Sequence, residues 1–193
     1  MRVNLGCGHD IKPGWVNLDG RPGPGVDVVA DLDDCRQKPL PFEDGTIDAL
    51  FMSHVLEHIR DTLALMQELW RVAKPGAEMV IRCPYGSSDE AWGDQTHVRA
   101  YFMQSFEAFS QPYYEKADYG YRGDWTALAF TLLVDQPTVT EADLEGLLGR
   151  IHRERNVVIE MIVRLQKVSP LRPPVRDKNQ AKAQIVICPG IRE

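Results

Sequence analysis

The sequence has few cysteines and no closely spaced pair of them. Its four cysteines lie far apart, at Cys7, Cys35, Cys83 and Cys188. Zinc knuckles and small disulfide-stapled domains both depend on close cysteine spacing. We therefore expect reduced thiols, as in a cytoplasmic protein.

Long apolar runs are also missing. The longest, residues 127–134, has the length of one strand, whereas a membrane-spanning helix needs about 20 apolar residues. The first residues lack the apolar core of a secretory signal. The sequence therefore predicts a cytoplasmic protein without a membrane segment.

Positive charge is outnumbered by negative charge. The 193 residues include 22 Lys and Arg against 28 Asp and Glu, which gives a net charge of −6. This balance repels nucleic-acid backbones and anionic membrane surfaces. We expect one domain, a small-molecule acceptor, and no nucleic-acid or membrane partner; the oligomeric state stays open.

Short apolar runs that end in Gly, Asp, Ser or Pro predict a parallel sheet. These runs cover residues 3–5, 15–18, 26–30, 47–52 and 77–83. They are typical of strands buried on both faces. From Val55 to Val72, apolar residues recur at three- and four-residue steps, which predicts the helix of a right-handed strand–helix–strand crossover.

The rest of the chain predicts further elements of an α/β fold. We expect a helix that begins after Thr96 and presents Phe102 and Phe106 on one face. Beyond it we expect a strand at 126–135, a helix at 141–152, an edge strand at 157–165, a loop at 169–182 and room for a last short strand at 185–188.

Glycines and acidic residues at strand ends carry the functional signal. Gly6 and Gly8 follow the first strand and let the backbone turn sharply beside a ligand. Asp19 ends the second strand, where its carboxylate can accept both hydroxyls of a ribose; Asp31 ends the third, where it can accept an adenine amino group. Either aspartate alone also fits an ordinary turn. The combination predicts a nucleoside-containing cofactor.

Two familiar nucleotide motifs are incomplete. His9 and Asp10 follow the glycines where a dinucleotide-binding loop would have a third glycine, and no Lys-Ser or Lys-Thr follows. A nicotinamide or flavin enzyme is therefore disfavoured, and a P-loop enzyme is excluded.

Six segments within about the first 85 residues follow one another in the order and spacing of a known family. They are VNLGCG (3–8), GWVNLD (14–19), DL (31–32), LPFEDGTID (40–48), SHVLEH (53–58) and LWRVAKPG (69–76). On these segments the chain resembles the class I S-adenosylmethionine-dependent methyltransferases, and among them the compact type 11-like group. The sequence departs from the family pattern at Asn4, where an acidic residue is frequent, and at Ala77, where a second glycine is usual.

The resemblance implies a fold, a cofactor and an activity. The expected fold is α/β: a single Rossmann-like domain, residues 1–193, with a seven-stranded, mostly parallel sheet and an antiparallel edge hairpin. The cofactor-binding half is expected at about 1–83, and the lid and substrate-side segments at about 84–156. The implied cofactor is S-adenosyl-L-methionine, and the implied activity is methyl transfer.

The resemblance also implies roles for individual residues. Gly6 to Gly8 would hold the methionine portion, Asp19 the ribose, and Asp31 with Leu32 the adenine. Ser53 and His54, at the end of the fourth strand, would border the sulfonium and the acceptor. The full cofactor-binding set implied is Asn4, Gly6, Cys7, Gly8, Asp19, Asp31, Leu32, Ser53 and His54.

Two histidines are candidates for removing a proton from the acceptor. His97 would lie in the first turn of the helix after Thr96, on the segment expected to cover the site. His54 is the alternative, and a surface role for His97 beside Arg99 fits equally well. His54 and His58 stand four residues apart, but no third ligand is evident, so we predict no metal.

The expected acceptor is a small or medium polar molecule, methylated on oxygen or nitrogen. The fourth strand ends in Met-Ser-His, without the Asn-Pro-Pro-aromatic tetrad of methyltransferases that act on adenine or glutamine amino groups. The alternatives are a protein or peptide methyltransferase and a catalytically silent cofactor-binding module.

Overall fold

The computed structural model describes residues 1–115, 118–135, 144–175 and 182–190. Within these residues the strands are β1 (Arg2–Leu5), β2 (Val16–Asp19), β3 (Val28–Val29), β4 (Ile47–Ser53), β5 (Ala73–Pro84), β6 (Trp125–Val134), β7 (Val158–Lys167) and β8 (Gln184–Pro189). The α-helices are α1 (Thr62–Val72), α2 (Glu90–Gly93) and α3 (Leu144–Arg153). Segments of 3-10 helix span Leu32–Asp34, Leu56–His58, Met103–Phe109 and Gln111–Glu115.

The strands form one mixed sheet in the order β3-β2-β1-β4-β5-β7-β6-β8. Pairing is parallel from β3 through to β5 and again between β6 and β8, whereas β7 runs antiparallel to both β5 and β6. The chain runs outward from β1 to β3 and then returns to β4 on the other side of β1. In open α/β sheets such a reversal opens a crevice at the carboxyl ends of the strands, which is where ligands bind.

Helix α1 packs its apolar face on the sheet beneath this crevice. Leu65, Met66, Leu69 and Val72 lie on that face and are fully buried. Asp61 caps the helix, because its carboxylate accepts a hydrogen bond from the Ala64 N–H at 3.1 Å. The predicted crossover helix is thus present, but it begins at Thr62, since Leu56–His58 form a separate 3-10 turn.

The expected α/β fold with a mostly parallel sheet is confirmed, with two corrections to its second half. The sheet has eight strands among the described residues, because β8 adds to β6 in parallel. The sequence predicts β7 as an edge strand, but it lies between β5 and β6. Alternating residues indicate which face a strand buries and not how many strands pair with it, so the pattern at 157–165 does not indicate the second neighbour.

The helix predicted after Thr96 is absent. Residues 97–100 have no regular structure, Tyr101 forms a bridge to Tyr85, and 3-10 turns follow from Met103. Asp94, not Thr96, caps the local turn, because its carboxylate accepts from both the N–H and the hydroxyl of Thr96 at 2.7 Å. The apolar spacing instead reflects aromatic side chains that are buried from two kinds of backbone. Tyr101 is buried from its bridge to Tyr85, and Phe106 and Phe109 are buried from the 3-10 helix Met103–Phe109.

The remaining expectations fall partly outside the described residues. Helix α3 matches the helix predicted at 141–152, of which 141–143 are not described, and the loop predicted at 169–182 is described only to residue 175 and from 182. In the described part of the chain, no helix combines the length and the apolar character that crossing a membrane requires.

Candidate active site

The glycine loop turns sharply at the end of β1. Gly6 has φ +62°, and a Cβ there would lie 2.5 Å from Cγ2 of Val55. Gly8 has φ +49°, and its N–H donates to Oδ2 of Asp19 at 2.8 Å. Between them Cys7 is buried and donates its N–H to the Leu18 carbonyl at 3.0 Å. These bonds hold the loop against the carboxyl end of β2.

Asp19 links the loop to the turn that follows β2. Its Oδ2 accepts from Gly8, and its Oδ1 accepts from the N–H of Arg21 at 3.0 Å. A carboxylate oxygen can accept more than one hydrogen bond. The side chain is only half-buried, so the oriented carboxylate retains the capacity to accept two hydroxyl groups from the crevice. The structure therefore brings Gly8 and Asp19 together as a unit.

Asn4 supports the loop from below. Its side chain is buried, and Nδ2 donates to the Asp10 carbonyl at 2.7 Å and to Oδ1 of Asn17 at 3.0 Å. The same Asn17 oxygen accepts from the Lys12 N–H at 2.9 Å. Asn4 thus orients the chain after the glycines and belongs to the packing beneath the loop.

Asp31 and Leu32 occupy different environments. Leu32 is buried in the hydrophobic core. Asp31 is exposed and caps the 3-10 helix that follows it, with Oδ1 accepting from the Asp33 N–H at 2.9 Å. Of this pair, the Asp31 side chain is the one at the surface near the end of β3.

Ser53 and His54 end β4, with His54 in a strained conformation. His54 has φ +53°, a left-handed value that is rare for residues other than glycine. Its N–H donates to the Arg82 carbonyl at 2.9 Å on the neighbouring strand. Such strain tends to occur at functional sites.

The His54 ring lies between two carboxylates. Its Nε2 is 2.7 Å from Oε1 of Glu160, and its Nδ1 is 3.4 Å from Oε1 of Glu57. These contacts, with Glu160 the stronger, raise the pKa of His54 to about 9. Burial raises the pKa of Glu160, but His54 and Arg82 outweigh it and hold that pKa below its ordinary value. His54 is therefore a cation at neutral pH.

Sequence reasoning missed both carboxylates. Glu57 lies in the 3-10 turn after β4, and Glu160 lies on β7. Only the antiparallel pairing of β7 with β5 brings Glu160 to Arg82 and His54. The acidic residue in the SHVLEH segment is visible in the sequence, but nothing local indicates that it is buried.

His97 is not at a helix N-terminus, so that reason for its role as a base is wrong. It lies in the irregular segment after α2, and its ring packs against His58 with ring centroids 4.7 Å apart. Its Nδ1 is 3.2 Å from the Ala91 carbonyl. One possible ligand atom each from Glu57, His58 and His97 lies within 4.8 Å of the other two. The sequence does not connect these residues, since His97 comes from the segment beyond β5.

Known proteins resemble this chain both in sequence and in fold. Residues 4–81 match the family model described as "Methyltransferase domain". Over 67 residues the chain is 48% identical to a demethylmenaquinone methyltransferase of Streptomyces avermitilis, a stretch that covers 34% of this chain and 28% of that protein. A second demethylmenaquinone methyltransferase, from Streptomyces griseus, is 48% identical over 42 residues, 22% of this chain and 18% of that protein. The chain thus matches less than a third of the length of these curated relatives.

Several solved structures are similar over most of the chain. Among them is a SAM-dependent methyltransferase from Archaeoglobus fulgidus, with a TM-score of 0.56, 17% identity, and coverage of 86% of this chain and 85% of that one. The matched segment 4–81 contains the glycine loop, Asp19, Asp31 and the end of β4. Residues 4–81 are therefore a methyltransferase domain of the type 11 family, in a chain with the fold of the class I S-adenosylmethionine-dependent methyltransferases.

Proposed function

We propose that this protein transfers a methyl group from S-adenosylmethionine to a small or medium-sized acceptor. The observation that carries the proposal is the hydrogen bond from the Gly8 N–H to Oδ2 of Asp19. It fixes a loop whose two glycines have left-handed backbone beside the half-buried carboxylate of Asp19. This loop lies at the point where the strand order of the sheet reverses. In this proposal the loop receives the methionine portion, Asp19 the ribose, and Asp31 the adenine.

In this reaction the main contribution of the protein is to align the two reactants. A nucleophile attacks the methyl carbon, the bond from that carbon to sulfur breaks, and the sulfonium becomes the neutral thioether of S-adenosylhomocysteine. Holding both reactants in line and keeping water out can supply a large part of the rate enhancement. Ser53 and His54, at the end of β4, are the residues we assign to the border between cofactor and acceptor.

An acceptor hydroxyl or ammonium must also lose a proton. His97 stays our first candidate to take it. His54 is the second, but it would first have to lose its own proton, because Glu160 and Glu57 raise its pKa to about 9. A carbonyl oxygen only accepts, so the contact of His97 Nδ1 with the Ala91 carbonyl places the proton on Nδ1. In the neutral ring this leaves the Nε2 lone pair available.

Exposed apolar side chains near the carboxyl end of β5 bear on the acceptor. Trp92, Val98 and Phe102 are 64%, 48% and 42% exposed. Phe102 packs on Tyr85, just beyond β5, with ring centroids 5.4 Å apart, and Trp92 Nε1 donates to the Gly86 carbonyl at 3.0 Å. Exposed aromatic groups beside a ligand crevice favour an acceptor that carries a ring as well as polar groups.

A second candidate is methylation of a ring carbon. The curated relatives that match this chain are named as demethylmenaquinone methyltransferases, and a hydroquinone would use the aromatic side chains just described. There the electron-rich ring carbon attacks the methyl group, and the ring then loses the proton from that carbon.

The test is transfer of labelled methyl from S-adenosylmethionine to a panel of acceptors. The panel contains hydroxylated and amino-bearing small molecules, short hydroquinones and an unstructured peptide. We expect label in a small-molecule product, with ring-carbon labelling of a hydroquinone supporting the second candidate. Label in the peptide alone, or cofactor binding without any transfer, would contradict the proposal.

A further inference from the structure

A cluster of two histidines and a glutamate lies beside the end of β4, and nothing in the proposed methyl transfer uses it as a unit. Glu57 and His58 belong to the 3-10 turn Leu56–His58, and His97 comes from the segment beyond α2. A ligand atom from each lies within 4.8 Å of the other two. The two parts of the chain are also joined directly, because the Val98 N–H donates to the Glu57 carbonyl at 2.9 Å.

The tautomer of His58 is fixed by a chain of hydrogen bonds. Its Nδ1 lies 3.0 Å from the hydroxyl and 3.3 Å from the carbonyl of Thr96. The Thr96 hydroxyl donates its only hydrogen to Asp94 at 2.7 Å, so it accepts from His58. The proton is therefore on Nδ1, and the Nε2 lone pair is free to bind a metal ion.

His97 has the same arrangement. Its Nδ1 faces the Ala91 carbonyl at 3.2 Å, which again leaves the lone pair on Nε2. Metal-binding histidines usually donate their other ring N–H to a carbonyl or carboxylate, which fixes the tautomer and the ring orientation. Both histidines of the cluster therefore meet this condition through partners outside it.

The buried carboxylate of Glu57 gives separate evidence that a cation binds here. Its side chain is only 2% exposed, and among the described residues neither carboxylate oxygen has a hydrogen-bond partner. Leaving a buried polar group unpaired costs free energy, and more so when the group is charged. The ion pair with His54 Nδ1 at 3.4 Å lies beyond good hydrogen-bond distance, so it satisfies the carboxylate only in part.

We propose that Glu57, His58 and His97 bind a divalent transition-metal ion of the zinc type. Two imidazoles and one carboxylate are a ligand set that zinc accepts, with a fourth position left for water. Bonds of about 2.0–2.2 Å in a tetrahedron place ligand atoms about 3.3–3.6 Å apart. The present separations of up to 4.8 Å would have to shorten to that range when the ion binds.

The ion would join the segment after α2 to the end of β4. Its ligands come from both parts of the chain, and the Val98–Glu57 backbone bond already lies beside them. The bound ion would thus fix the segment that contains His97 against the end of β4, on the acceptor side of the crevice. This inference rests on the cluster alone and does not depend on which acceptor is methylated. A metal-bound His97 could not take the acceptor's proton, so with the ion in place His97 is a ligand and not the base.

The test is zinc binding by the full chain. The protein is dialysed against a chelator, returned to chelator-free buffer and titrated with Zn²⁺ by calorimetry, and bound zinc is counted by elemental analysis after desalting. We expect one zinc ion per chain. His58→Ala, His97→Ala and Glu57→Gln should each weaken binding at least about tenfold, since loss of a partner that merely orients a ligand already costs 10–100-fold. His152→Ala, an exposed histidine outside the cluster, is the matched control and should bind like the parent.

A milder variant covers the case in which a ligand variant fails to fold. Thr96→Val removes only the hydroxyl that orients His58 and should still weaken zinc binding by about 10–100-fold. The proposal is overturned if the parent binds no zinc, which would mean that His54 alone balances Glu57. It is equally overturned if the cluster variants retain the parent's affinity, or if Mg²⁺ binds and Zn²⁺ does not. None of these readouts involves S-adenosylmethionine or turnover, so its failure is separate from failure of the proposed function.

Discussion

Replacing Gly6 by alanine should destabilise the protein through two separable effects. The first is backbone strain, because φ is +62° and a left-handed conformation costs a residue with a Cβ about 1–2 kcal/mol. The second is a clash, because the new Cβ would lie 2.5 Å from Cγ2 of Val55. Overpacking of this kind costs about 1–3 kcal/mol. The free energy of unfolding should therefore fall by about 2–5 kcal/mol.

Gly8→Ala is the matched control for this substitution. Gly8 also has a left-handed φ, +49°, but a Cβ there meets nothing within 4 Å. Gly8→Ala should therefore introduce the backbone strain without the clash, and the free energy of unfolding should fall by about 1–2 kcal/mol. Both variants are measured by urea unfolding without cofactor, so that binding does not contribute.

A double-mutant cycle with Val55→Ala isolates the clash. Shortening Val55 removes the atoms that the methyl group introduced by Gly6→Ala would meet, so the double variant should be more stable than the sum of the two single changes predicts, by about 1–3 kcal/mol. Equal losses for Gly6→Ala and Gly8→Ala, together with additive behaviour in the cycle, would refute the argument that the end of β1 and the chain after β4 are in tight contact.

Three further outcomes are expected. Asp19→Ala should weaken S-adenosylmethionine binding at least about 100-fold in calorimetry, because two hydrogen bonds from the ribose to a charged acceptor are lost and each contributes roughly 1.5–3 kcal/mol. The control is Asp118→Ala, which removes an exposed aspartate that pairs with Arg122. Unchanged affinity for Asp19→Ala would contradict the ribose assignment. Residues 84–93 should exchange amide hydrogens more slowly with cofactor and acceptor bound than without them, and equal protection would count against a gating role. If His97 is the base, His97→Ala should lower turnover about 10²–10⁴-fold with cofactor affinity retained, whereas turnover within about threefold of the parent excludes that role. A parallel zinc titration distinguishes the loss of a base from the loss of a metal ligand, because a metal-bound imidazole cannot take the proton.

The parallel half of the fold was predictable because its signals are local. The strands from β1 to β4 are short apolar runs that end near turn residues, and β5 contains such a run at 77–83, although the strand itself begins earlier, at Ala73. The crossover helix shows its buried face in the three- and four-residue spacing of Leu65, Leu69 and Val72. The glycine loop and Asp19 were predictable for the same reason. The left-handed backbone of the loop requires glycine, and the end of the second strand is where a carboxylate can face the ligand crevice.

The second half depended on contacts that local patterns do not encode. The aromatic residues after Thr96 predicted a helix, but Tyr101 pairs with Tyr85 and Phe106 is buried from a 3-10 turn. The environment of His54 depends on Glu160, which reaches it only through the β5–β7 pairing. The cluster of Glu57 and His58 with His97 likewise forms only because the segment after α2 folds back on the end of β4.

The most direct test of the central claim is titration of the protein with S-adenosylmethionine, followed by thermal unfolding with and without it. At about 100 times its dissociation constant the ligand should add about 2.7 kcal/mol of stability, a rise in Tm of about 5–11 °C for a chain of this size. The same concentration of NAD or ATP should leave Tm unchanged. A protein that does not bind S-adenosylmethionine, or that gains as much from NAD, would contradict the account.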